Sequence, residues 1–205
     1  MEKIIEPPIL ESKAIPEYLI YEVIDGKPLY RKGYREVLNG TKTKAEIIGS
    51  SILQSYLISI IVEFLMGKIH KEQYKILYNE LGIHLSLHNN LSTDIAVFKR
   101  ENLKNKNLST KYADFPPEIV IEVDVKLEDN QMNDIDYFQS KTQKLLDFGV
   151  KKVVWFSSAN RKVLEAPQNQ IWTIANWDKE VEILGVHFSL AQLIEEEGFK
   201  IGEEG

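Results

Sequence analysis

Ile119-Val120-Ile121-Glu122-Val123-Asp124-Val125-Lys126 reads as a strand whose two faces differ in character. Successive side chains of a strand point to opposite faces. Ile119, Ile121, Val123 and Val125 therefore share one apolar face. Val120, Glu122, Asp124 and Lys126 share the other, with about 6.6–7 Å between successive Cα atoms on that face. An exposed antiparallel strand would show the same alternation. The flanks argue for a covered strand instead. Pro116-Pro117 introduces it, and Ile135–Phe148 reads as a helix that ends at Gly149 and leads straight into an apolar run, Val150–Phe156. That order is a βαβ crossover, which places the first strand inside a sheet. Carboxylates are costly to bury unless a cation or a lysine neutralises them.

Asp94 is the natural companion. It lies in Ser92–Phe98, a second strand that is apolar around it. Its other reading is a strand-entry aspartate after Ser92-Thr93. Asp94 with Glu122 and Asp124 would give Mg2+ (or Mn2+) the hard oxygen ligands it prefers. A bound metal lowers the pKa of a water and stabilises charge on a phosphate. A nearby lysine, Lys126, would stabilise developing negative charge. His70, His84, His88 and His187 have no metal-ligand spacing that suggests a zinc site.

Working outward, Tyr18–Val23 and Pro28–Arg31 flank Asp25-Gly26, a hairpin signal. Thr43–Lys71 carries Ile47, Ile48, Leu53, Leu57, Ile58, Ile61, Val62 and Leu65 at three- and four-residue spacings, which predicts one long helix. Thr43 and Glu46 have the spacing of a capping box. Tyr74–Leu77 and His84–Leu87 read as separate strands. After Phe98 comes a polar, Asn-rich loop. Lys162–Glu165, Ile171–Trp177 and Val181–Leu184 are short strands, and Phe188–Glu196 is a final helix. The fold class is α/β (α+β), with a mixed central sheet flanked by helices, an N-terminal hairpin and small C-terminal strands. Residues 1–16 read as an arm, 17–197 as one domain and 198–205 as an acidic, flexible tail.

The sequence has 205 residues, 43% hydrophobic and 27% charged, so a packed domain is expected and whole-chain disorder is not. The absence of cysteine excludes disulfides and thiolate metal sites. No signal core or membrane-spanning run is visible, and a cytoplasmic location is the default expectation. The net charge of −6 argues against broad, non-specific nucleic-acid binding. Lys99, Arg100, Lys104, Lys106 and Lys111 form a local basic stretch, either a solvated loop or the border of a substrate groove.

At these residues the sequence resembles the PD-(D/E)XK nuclease superfamily, and within it the Uma-type restriction-endonuclease family. Tyr21-Glu-Val-Ile-Asp-Gly26 resembles that family's opening hairpin. Ser92-Thr-Asp-Ile-Ala-Val97 resembles its "PD" strand, with Thr93 in place of the usual proline. Pro117-Glu-Ile-Val-Ile-Glu-Val123 resembles its second acidic strand. Lys141–Val150 and Val154-Trp155 resemble its lysine-bearing helix, Gly-Val turn and next strand. The resemblance implies a restriction-endonuclease-like core, Mg2+ dependence and hydrolysis of DNA, with Asp94 and Glu122 as metal ligands. It aligns Lys141 with the family lysine, whereas the strand face favours Lys126. Glu46 stands near the place of a helix histidine that many members carry, as a further ligand or as a cap. Cutting both strands of a duplex would call for two sites, as in a homodimer.

Overall fold

The computed structural model describes residues 15–104, 106, 109–123 and 134–199. Asp124 and Lys126, most of the arm and most of the tail lie outside the described residues.

A short 3-10 turn, Glu17–Leu19, leads into β1 (Ile20–Ile24) and β2 (Lys27–Tyr30), an antiparallel hairpin around Asp25-Gly26. Both turn residues have positive φ, 51° and 75°, which is what a tight two-residue hairpin demands. Two short helices follow, α1 (Tyr34–Leu38) and α2 (Lys44–Ile47), then α3 (Ile52–Lys68). The single long helix expected over Thr43–Lys71 is therefore two helices. Gly49, at φ 135°, breaks the run, and Ser51 starts α3 by accepting from the Gln54 N–H.

The next two expected strands are one bulged strand, β3 (Tyr74–Ser86), paired antiparallel along β4 (Asn89–Lys99). A five-residue helix, α4 (Arg100–Lys104), occupies the start of the expected Asn-rich loop. The expected crossover is present as β5 (Ile119–Val123), α5 (Asp134–Phe148) and β6 (Lys152–Ser157). β5 and β6 pair in parallel. β7 (Lys162–Pro167) and β8 (Thr173–Asn176) extend the sheet antiparallel. A separate two-stranded ribbon, β9 (Val181–Ile183) and β10 (Val186–Phe188), precedes α6 (Leu190–Glu196).

The eight-stranded sheet runs β2-β1-β4-β5-β6-β7-β8, with β3 also on β4. It is mixed, as expected from the sequence, and mostly antiparallel, with β5–β6 its parallel pair. Ile119, Ile121 and Val123 pack with Ile95, Val97 and the α3 residues Leu57, Ile61 and Leu65. Val120 goes to the opposite cluster with Tyr137 and Leu145 of α5. The strand alternation read from residues 119–123 thus divides two cores, and β5 is buried on both faces.

Candidate active site at a fork in the sheet

β3 occupies one edge of β4 along its length, so β1 and β5 share the other edge. β1 meets β4 at Val23↔Asn90, and β5 meets it at Ile95↔Ile121. Between these points the sheet forks, and side chains take over from backbone. The Ser92 N–H donates to Glu22 Oε1 at 2.9 Å, and the Ser92 carbonyl accepts from Lys141 Nζ at 2.7 Å. Buried backbone groups need such partners when a strand neighbour is missing.

Two carboxylates stand beside the fork. Continuing the β4–β5 register by one residue sets Asp94 opposite Glu122. Asp94 Oδ2 accepts from the Val123 N–H at 2.7 Å, and the Gln54 side chain donates to the Val123 carbonyl at 2.8 Å. Asp94 is 5% exposed and Glu122 is fully buried. Burial pushes the Asp94 carboxyl up to about 6, against the lowering effects of the Val123 N–H and Lys141. Burial also pushes Glu122 well above the usual carboxylate range, and Asp94 adds to the rise. Glu122 Oε1 lies 3.1 Å from Lys141 Nζ, an ionic contact that misses hydrogen-bond geometry, and Oε2 has no hydrogen-bond partner among the described residues.

Lys141 projects from α5 on the stripe Tyr137, Lys141, Leu145, all buried. Its ammonium lies 2.8 Å from Glu22 Oε1. Rings of Trp155 and Tyr137 stand 5.4 and 5.7 Å from it. Tyr137 in turn donates from its hydroxyl to Glu22 Oε2 at 2.7 Å. Burial alone would lower the Lys141 pKa, but Glu122 and Glu22 outweigh it and raise it, so the side chain is a permanent cation.

Asp94 opens toward a groove of about 800 Å3 between α3 and β3. Its wall carries Gln54, Glu63 and Glu80, and among the described residues its lining includes no lysine or arginine. β3 reaches the groove through a bulge. Tyr78 pairs with Ile95 and Leu81 with Thr93, so Asn79 and Glu80 together face Asp94. Both bulge residues have positive φ, 83° and 53°, an uncommon conformation for non-glycine residues. Glu80 contributes to the upward pressure on Asp94.

The structure therefore gathers Asp94, Glu122 and Lys141. It puts Glu46 elsewhere, exposed in the capping box, with Oε2 accepting from the Thr43 N–H at 2.6 Å. Lys99 and Arg100 sit at the far end of β4, about 17 Å along the strand from Asp94. Lys99 pairs with Glu118 and Lys106 with Asp114, while Lys104 ends α4. Glu22, Tyr137, Gln54 and Glu80 were not singled out from sequence. Glu22 had a signal, a carboxylate inside the apolar strand Ile20–Ile24; the other three had none.

Among the described residues no three His, Cys, Asp or Glu side chains cluster as a metal site. The fit to a divalent cation rests instead on charge and orphaned atoms. Ionised, Glu22, Asp94 and Glu122 against Lys141 leave a net charge of about −2 in a low-dielectric site. Among the described residues no donor reaches the buried Glu122 Oε2. Two carboxylates with waters are an ordinary Mg2+ ligand set.

No known protein-family profile matches the sequence, and no curated protein does. A solved structure does match: a "putative nuclease belonging to DUF820" from Anabaena variabilis, 16% identical, with a TM-score of 0.60 over 85% of this chain and 89% of that one. At that identity the shared feature is the fold alone, a mixed sheet with flanking helices.

Proposed function

We propose that the protein is a Mg2+-dependent endonuclease that hydrolyses phosphodiester bonds in DNA. The observation that carries this reading is the pairing of Asp94 with Glu122 on adjacent strands, with Glu122 Oε2 unpartnered among the described residues and Lys141 beside them. The fold shared with a protein described as a nuclease supports it.

Asp94 and Glu122 would hold the metal. Bound there, it would lower the pKa of a water and stabilise charge on the scissile phosphate. Lys141 cannot act as a base, because its neighbours keep it protonated. It acts as a fixed positive charge beside Glu122. Glu22 and Tyr137 fix its position, and Trp155 walls it from water. Asp124, outside the described residues, is a further ligand candidate. Cutting both strands would call for two such sites, which a homodimer would supply.

The test is cleavage of plasmid DNA with Mg2+ or Mn2+ by the parent and by Asp94→Ala. Loss of cleavage in the variant, with its fold intact, supports the reading. An unchanged rate sinks it.

One observation favours a second reading, a nuclease-fold binding or assembly module without catalysis. Lys141 is wholly buried and held by two carboxylates, as a structural lock would be. Metal titration separates the two: no Mn2+-induced thermal shift in the parent would favour the inactive module.

A further inference from the structure

We propose that Arg31 is a phosphate-binding residue of this site, held ready by Glu80 and released to the DNA backbone when substrate enters. The inference rests on the nuclease reading and adds to it a residue that grips substrate.

Arg31 directly follows β2, and its own N–H donates to the Leu19 carbonyl at 2.9 Å, so its backbone is fixed. Its guanidinium carbon lies 5.5 Å from the centroid of the Tyr21 ring. On its other side, a terminal nitrogen is 3.9 Å from Glu80 Oε2. Glu80 lines the groove together with Asp94, so Arg31 sits at the edge of that groove, which among the described residues has no lining cation of its own.

The contacts leave it unsatisfied. At 3.9 Å the Glu80 pair is too long for a hydrogen bond. Arg31 Nε is buried and has no hydrogen-bond partner among the described residues. Lys141 shows what a structural cation looks like here: two carboxylates and a carbonyl surround it at 2.7–3.1 Å. Arginine presents a planar fork that fits a phosphate through two parallel N–H donors. Swung out from Tyr21 and Glu80, the fork would offer Nε and a terminal nitrogen to a phosphate, which would satisfy the orphaned donor and replace the loose Glu80 contact. The bulge explains why Glu80 is within reach: the extra residue in β3 carries it toward Asp94 and Arg31.

The test is binding of a labelled short DNA duplex, followed by anisotropy across a salt series. Ca2+ replaces Mg2+, and a gel confirms that the duplex stays intact. Arg31→Gln is expected to weaken binding about tenfold and to reduce the salt slope by about one, as loss of one phosphate contact should. Glu80→Gln is expected to tighten binding by about threefold, the scale of one exposed ion pair. That gain should vanish in the Arg31→Gln background. Should Arg31→Gln fail to fold, Arg31→Lys serves: it keeps the slope but loses affinity, because the fork is gone. A duplex bound by Arg31→Gln, or by Arg31→Lys, with the parent's affinity and slope overturns the proposal while leaving the nuclease reading standing. An undiminished Glu80→Gln gain in the double variant overturns the handover from Glu80. A folded parent that binds no duplex overturns the nuclease reading, and this inference with it.

Discussion

Glu22 and Lys141, from the first strand and the crossover helix, meet at 2.8 Å in the fully buried fork of the sheet. The pair joins the hairpin to the centre of the fold, so its removal should be felt globally. Breaking a buried ion pair by deleting one partner typically costs about 3–5 kcal/mol. Glu22→Ala should fall at the lower end, about 3 kcal/mol, because Glu122 still faces Lys141. Glu22→Gln should cost less, since its carbonyl oxygen can still accept from Ser92. Urea unfolding of the two variants measures this. Equal stability of Glu22→Ala and parent would mean that the pair is not formed.

Lys141 and Lys126 compete for the role of catalytic lysine, and they make opposite predictions. Lys141 is the cation in contact with Glu122. Lys141→Gln should reduce cleavage by about a hundredfold or more, the usual cost of losing a preorganised stabiliser of transition-state charge. Lys126→Ala should cleave near the parent rate. A plasmid-nicking time course on both variants decides, with thermal melts to confirm folding. A dead Lys126→Ala beside an active Lys141→Gln would reverse the assignment.

Glu46 was open to two roles, metal ligand or cap. Its carboxylate accepts from both the Thr43 N–H and the Thr43 hydroxyl, and these hydrogen bonds lower its pKa. Glu46→Gln should therefore leave cleavage and the Mn2+-induced thermal shift at parent level. It should lower the melting temperature at neutral pH, where the charged cap is present, and less so in acid. A loss of metal response in Glu46→Gln would restore it to the site.

The sheet strands are largely legible because their alternation has period two and Asp-Gly or Pro-Pro marks where two of them begin or turn; Asn89-Asn90, which reads as a turn, belongs to β4, and the turn before it is Leu87-His88. The sequence shows β3 only as two apolar pieces, Tyr74–Leu77 and His84–Leu87, with polar Asn79-Glu80 between them. Pairing with the long β4 carries the strand through as a bulge. The α2–α3 break hid behind a helical period that continues across Gly49. Asp94 and Glu122 stood out as charges in apolar strands. Lys141 was harder, since a lysine on a helix is ordinarily solvated. What buries it is Glu22, which comes from the other end of the chain and has no local sequence link to α5. The basic stretch at Lys99–Lys106 stands out by composition, yet Lys99 is paired with Glu118 and Lys106 with Asp114.

The pH dependence of stability follows from the same buried carboxylates. In the metal-free fold Asp94 titrates near 6, above its ordinary 3.8, because burial disfavours the charged form. Below about pH 3.8 it is protonated in both states and carries no penalty. Between about pH 3.8 and 6 the folded state holds a proton that the unfolded state has lost, so stability falls as pH rises. The Asp94 contribution across that window is about 3 kcal/mol. Asp94→Asn should therefore be more stable than the metal-free parent at about pH 7, and should lose most of that advantage by about pH 4. A divalent cation binds the deprotonated carboxylates and so competes with protons. The Mn2+-induced thermal shift of the parent should be small at about pH 5 and grow by about pH 8, and it should collapse in Asp94→Asn. Denaturation of both proteins across this range, with EDTA and with Mn2+, checks each arm. A metal-free parent that gains stability over Asp94→Asn as pH rises would show that Asp94 is paired, not strained, and that no cation is needed to hold it.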